Sequence, residues 1–188
     1  MVKKLLFCLL FLLMATSPFA FSQSREPFTS NNTIFITIEG FKSNYDFASK
    51  NLLVRYNKDT KKLECLLAFS SLIAANDSTP IVMAQDLFYT SRYPELYIEI
   101  EAPVEQINAR NMAVNTKNSR FVMSLQGVPL EMTVPVQYTP EEQAITFSTS
   151  FDVLMERYRL SLPAKYIPRL TGRIFFTISN ARWMDMQK

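Results

Sequence analysis

The chain reads as a mainly β protein, with about eight antiparallel strands forming a barrel or a sandwich and one or two short helices. Three observations lead there. Apolar residues recur at every second position in block after block, which is the period of a strand with one dry face and one wet face. The blocks are short, evenly spaced and separated by polar turns. Helical spacing appears in one stretch only.

The first residues stand apart from this pattern. MVKK is followed by the apolar run LLFCLLFLLMA and then TSPFAFSQS, giving a basic region, a short apolar region and a small-residue cleavage site. The apolar run covers 11 residues, against the roughly 20 that a helix needs to cross a bilayer. Residues 1–22 are therefore expected to be a signal peptide, cleaved after Ser22 or alternatively after Ala20, with Cys8 leaving alongside it. The chain is therefore expected to be exported. Residues 23–188 then form a single domain of 166 residues, enough to bury a real core.

Ile34, Ile36 and Ile38 open the alternation. Leu52, Val54 and Tyr56 follow, and then Leu63, Cys65, Leu67 and Phe69, with the charged turn NKDTKK making residues 51–70 a hairpin. Leu96, Ile98 and Ile100 alternate with Tyr97, Glu99 and Glu101. Phe121, Met123 and Leu125 come next, then Leu130, Met132, Val134, Val136 and Tyr138, then Ile145, Phe147, Thr149 and Phe151 after the turn TPEEQ, and finally Ile174, Phe176 and Ile178. Pro135 lacks an amide hydrogen, so its strand must be an edge or carry a bulge there. In STPIVMAQDLFYTSRYP, Thr79 is placed to cap a helix over residues 80–89, with Pro80 first and Met83, Ala84, Leu87 and Phe88 on one face. Pro163 and Pro168 flank AKYI, a candidate single helical turn.

Composition excludes much chemistry. The chain has no histidine, which removes Ser-His-Asp and Cys-His nucleophilic sites and the commonest metal ligand. Three scattered glycines cannot form a phosphate-binding loop. Cleavage lowers the basic residues from 20 to 18 against 17 acidic ones, a balance that leaves no nucleic-acid footprint. Cys65 is the one cysteine after cleavage, so no internal disulfide forms, and its strand parity makes it a buried, inert thiol. Asn31-Asn32-Thr33 and Asn76-Asp77-Ser78 match the glycosylation triplet, a pattern common by chance. Glu99 and Glu101 face solvent, and Glu141 and Glu142 sit in a turn. Asp86 and Asp152 are either structural acceptors or acid/base groups. Arg157, Arg159, Lys165, Arg169 and Arg173 form a solvated rim or meet an anionic membrane surface. No catalytic residue, metal or cofactor is expected.

The apolar inventory, with 15 Phe, 8 Tyr and 9 Met, suits either an ordinary core or an adaptable ligand-lined interior. Several stretches resemble the YceI-like family. AQDLFYTSRYPELYIEIEAP is similar to its segment with an aromatic pair and a Tyr-Pro, here Leu87-Phe88 and Tyr93-Pro94. FVMSLQGVPLEMTVPVQY is similar to its Gly-Val hairpin, with Leu125, Gly127, Val128, Val134 and Val136 in place. FDVLMERYRLSLPAKYI and NLLVRYNKDTKKLECLLAFSSL resemble segments of its Bacteroidetes-type members. The resemblance runs over residues 34–184 and rests on the order and spacing of degenerate motifs. Departures are Gln126, where the family often has histidine, Pro129 for a Thr-Lys-Pro turn, and the missing early Asp-x-x-His-Ser.

This resemblance implies a lipocalin-like antiparallel barrel, exported to the periplasm, that encloses a long polyisoprenoid chain and has no catalytic residues. With strand parity it gives an expected lining of Leu67, Phe69, Leu96, Ile98, Met123, Leu125, Met132, Val134, Val136, Phe147, Phe151 and Phe176, with the helix helping to close one end. The expected function is to carry or buffer an apolar lipid, an isoprenoid or a quinone, with transient contact to a membrane surface. The competing functions are a ligand-free envelope stress or assembly module with a filled barrel core, and an enzyme.

Overall fold

The computed structural model describes residues 27–76, 79–102, 114–141 and 144–184. The expected signal peptide lies outside them, as do Asp77 and Ser78 of the second glycosylation triplet and Glu142. Each alternating block becomes a strand: β1 (Thr29–Gly40), β2 (Tyr45–Asn57), β3 (Lys62–Ala68), β4 (Ile73–Ala74), β5 (Glu95–Glu101), β6 (Asn115–Leu125), β7 (Val128–Pro140), β8 (Ala144–Leu154) and β9 (Leu170–Met184). Apart from the two-residue β4, which lies alongside β2, each strand pairs antiparallel with its neighbours in sequence. Pairing of β1 with both β2 and β9 closes an eight-stranded barrel. A barrel, not a sandwich, is therefore the outcome. The apolar face of each strand turns inward, and Ile34, Ile36, Leu63, Leu67, Ile98, Phe121, Leu130, Phe176 and Ile178 are fully buried.

The strand expected to run through Phe69 ends at Ala68, and residues Phe69–Ser71 form a 3-10 turn. The Phe69 amide still donates to Pro94 O at 2.9 Å, in register with the β3–β5 ladder, but Pro94 has no amide hydrogen to return the bond, the Phe69 carbonyl accepts from Leu72 instead, and the Phe69 ring stacks on Phe88 with centroids 4.7 Å apart. Helix α1 (Ile81–Phe88) follows, capped at its start by Pro80 and not by Thr79 as expected. Thr79 is occupied elsewhere: its hydroxyl accepts from the Asp46 amide at 3.1 Å and donates to Asn76 Oδ1 at 2.6 Å. The helix stops at Tyr89, which is left-handed at φ 51°. Met83, Ala84, Leu87 and Phe88 are buried and close one end of the barrel. The AKYI stretch forms a 3-10 turn over Ala164–Tyr166.

Gln126 and Gly127 form the two-residue turn between β6 and β7, at φ 53° and 74°. Positive φ at both positions is the primed hairpin geometry that matches strand twist. A Cβ on Gly127 would come within 2.6 Å of the Tyr93 ring, so the glycine is required twice over. The Gln126 side chain ties three segments together. Its Nε2 donates to Leu87 O at 2.8 Å and to Ser161 O at 2.9 Å, while its Oε1 accepts from the Ser161 amide at 2.8 Å.

Pro135 marks a break in the wall. The β7–β8 ladder runs from Pro140 opposite Ile145 to Val136 opposite Thr149 and stops there, whereas β6 stays paired along the whole of β7. Thr149 Oγ1 donates to Pro135 O at 2.8 Å, so the Pro135 carbonyl faces β8. A strand residue's N–H and C=O point the same way, so the missing amide hydrogen faces β8 too. Beyond it, β7 and β8 separate into a seam, and Pro135 sits at the edge that proline requires. Residues 155–162 run from the end of β8 to Gln126 across the mouth of that seam, burying Met155 and Leu160 and packing Tyr158 and Leu162 against the core.

The 3-10 turn that follows this strap is pinned to α1. Asp86 accepts from Lys165 Nζ at 2.6 Å and from the Tyr166 hydroxyl at 2.7 Å. These two hydrogen bonds, that of Lys165 foremost, hold the Asp86 carboxyl below its ordinary range.

Gly127→Ala is expected to lower stability by about 1–3 kcal/mol through backbone strain, read as a shift of the urea midpoint. A carboxyl whose folded-state pKa is depressed adds stability above its unfolded pKa of about 3.9, and that stability is lost as pH falls through the folded value. Asp86→Asn should therefore lower the melting temperature at neutral pH, and the gap to the parent protein should close in thermal scans taken progressively below about pH 4.

Candidate functional site

The inner face of the barrel gathers most of the residues expected to line it. Leu67, Leu96, Ile98, Met123, Leu125, Val134, Val136, Phe147, Phe151 and Phe176 are strand residues no more than 9% exposed. Phe69 is buried too, but on the helix-capped end and not on a strand. Met132 shares its strand face with Leu130 and Val134 yet is only partly buried, because it lies where β7 has lost β8. Phe151, across the seam, is the most exposed of the buried liners for the same reason.

Aromatic rings cross the interior beside that seam. Phe121 on β6 meets Phe151 on β8 at 4.4 Å between centroids and 55°, and Phe151 stacks on its register partner Phe176 on β9 at 5.3 Å. Such tilted and stacked pairs are worth about 0.5–1.5 kcal/mol each beyond their burial. Toward the end opposite α1, Tyr56 stacks on Trp183 at 5.3 Å.

Ser119 and Tyr138 are inward polar residues outside the expected lining, although Tyr138 stands in the alternating series of its strand. Both are buried, at 4% and 1% exposure. Ser119 lies on the face of β6 that carries Phe121 and Met123, and Tyr138 on the face of β7 that carries Val134 and Val136, so parity alone could have found them. Burial pushes the Tyr138 hydroxyl above its ordinary range.

The groups considered for chemistry sit elsewhere. Cys65 is fully buried, and desolvation drives its thiol pKa well up, so it carries little thiolate. Asp152 pairs with Arg173 at 2.8 Å, and Asp86 is held in the clasp with Lys165 and Tyr166, so each carboxylate is engaged by neighbouring side chains. On the outer wall Glu99 pairs with Lys62 at 2.5 Å, and Arg120 bridges Glu131 and Glu101 at 2.6 and 3.4 Å. The cleft among Lys62, Glu99, Glu101, Arg120 and Val122 is too shallow to enclose even a water molecule, so it is no small-molecule site. Among the described residues, no three of the Cys, Asp and Glu side chains converge as a metal site requires.

No family model matches the chain, and no curated protein matches it by sequence. Solved structures do match. A polyisoprenoid-binding domain from Saccharophagus degradans, implicated in plant cell wall breakdown, superposes with a TM-score of 0.66 at 10% identity, covering 81% of this chain and 94% of its own. BcnA of Burkholderia cenocepacia superposes with a TM-score of 0.58 at 12% identity, covering 78% and 93%. A Campylobacter jejuni YceI protein spans 93% of this chain and 96% of its own at 10% identity, with a TM-score of 0.47. The barrel described above has the fold of that polyisoprenoid-binding domain, which is the fold that the YceI-like resemblance in the sequence implied.

Proposed function

We propose that this protein is an exported, non-enzymatic carrier or buffer that holds one long apolar molecule, an isoprenoid-type lipid or a quinone, inside its barrel in the periplasm. The observation that carries this reading is a closed barrel with an apolar, aromatic inner face in the fold of a polyisoprenoid-binding domain. Burial of a chain supplies about 0.8 kcal/mol per methylene, so about ten of them contribute roughly 8 kcal/mol before binding costs. The seam between β7 and β8 offers a route inward that breaks no backbone ladder, since its wall is the strap of residues 155–162 and not a strand. Phe41 and Ile167, 67% and 58% exposed, lie close to Arg169, whose carbonyl accepts from the Phe41 amide at 3.0 Å. Apolar tips beside a cation suit brief contact with an anionic membrane surface, where a lipid would be collected.

One observation favours the second reading, a filled barrel acting through its surface: Phe121, Phe151 and Phe176 already occupy the interior. Native mass spectrometry of protein purified from its own host separates the two. The carrier reading expects a hydrophobic adduct at one per chain, and a clean apo mass with no uptake of polyprenol or quinone analogues would overturn it. Met123→Trp extends this: a carrier should lose uptake with a nearly unchanged melting temperature, whereas a filled core should lose about 1–3 kcal/mol to overpacking. Gln126→Ala, which frees the strap, should speed lipid uptake and release together in stopped-flow fluorescence and leave the equilibrium affinity close to that of the parent.

A further inference from the structure

The Tyr138 hydroxyl is a buried polar atom that makes no hydrogen bond among the described residues. Its side chain points into the barrel and is 1% exposed. The polar groups that influence it are Ser119, Cys65 and Tyr56, from β6, β3 and β2. Ser119 draws its pKa down against the larger effect of burial, yet the two hydroxyls do not reach hydrogen-bonding geometry. The interior thus carries an unused donor aimed inward, with a second hydroxyl beside it. Leaving such a group unsatisfied costs about 1–3 kcal/mol, so native structures give it a partner. A phenylalanine at position 138 would fill the same space without that cost.

We propose that Tyr138, flanked by Ser119, is the seat for a neutral oxygen of the bound lipid, a hydroxyl or a carbonyl, which accepts a hydrogen bond from the Tyr138 hydroxyl. This rests on the carrier reading above and specifies its ligand: an apolar chain that bears an uncharged oxygen, such as a prenol or a quinone, and not a bare hydrocarbon. The site disfavours an anionic group, because the desolvation that keeps the Tyr138 phenol and the Cys65 thiol protonated would act on a buried phosphate too. Tyr138 adds the specificity that a uniformly apolar lining lacks, since a donor left empty by a hydrocarbon penalises the wrong ligand.

The test measures two probes, geranylgeraniol and the corresponding hydrocarbon without its hydroxyl, against the parent protein, Tyr138→Phe and Ser119→Ala. The parent should prefer the alcohol. In Tyr138→Phe that preference should shrink by roughly three- to tenfold, the worth of one hydrogen bond, with hydrocarbon binding retained. Tyr138→Phe removes a buried unsatisfied hydroxyl, so its apo melting temperature should equal or exceed that of the parent. Ser119→Ala, the smaller change, should shift the preference in the same direction and serves if Tyr138→Phe does not fold. An alcohol-to-hydrocarbon ratio that is the same in all three proteins overturns the seat and assigns the hydroxyl to a buried water. Binding of neither probe overturns the carrier reading as well.

Discussion

Closure of the barrel requires every strand to find a partner on both sides, and a proline in the wall cannot comply. Pro135 has no amide hydrogen to offer β8, and the β7–β8 ladder ends one residue away, at Val136. Much of the helix-capped end follows from this. The strands diverge, Met132 and Phe151 lose cover, and an apolar strap is needed over the gap. The backbone of that strap cannot join the sheet, so Gln126 stands in for a neighbouring strand, donating to and accepting from Ser161 as a peptide group would. The opening and its cover are two consequences of one missing hydrogen-bond donor.

The interior is organised along the barrel axis. The end beneath α1 is apolar and sealed by Phe69, Phe88, Met83 and Leu87. The Phe121, Phe151 and Phe176 rings lie beside the seam, and the polar interior groups Ser119 and Tyr138 belong to the inner faces of β6 and β7. Charges are kept outside, where Lys62, Glu99, Arg120 and Glu131 pair in solvent and add little to stability.

The strands were legible because a two-residue period leaves one face dry, and this held from Ile34 to Ile178. Gly127 was legible as a turn, Pro135 as an edge, and Cys65 as a buried thiol. Phe69 misled, because its parity continues that of Leu63, Cys65 and Leu67, while the residue that falls opposite it is Pro94, distant in sequence, which has no amide hydrogen to carry the ladder further. Thr79 misled in the same way: as a sequence neighbour of Pro80 it suits a cap, but Asp46 and Asn76 claim its hydroxyl. Parity also put Met132 among the buried liners, and it could not register that β8 departs at that height.

By itself, then, the sequence determined where the main strands run, the face each one buries, the position of the helix and the exclusion of histidine-based chemistry, because all of these depend on neighbours a few residues apart. Tertiary structure decided that the sheet closes as a barrel, that it parts between β7 and β8, that Gln126 holds the strap, and that the Tyr138 hydroxyl faces inward with no partner among the described residues. Each of these depends on which strands lie side by side, and hydrogen-bond partners separated by dozens of residues leave no periodic trace in the chain.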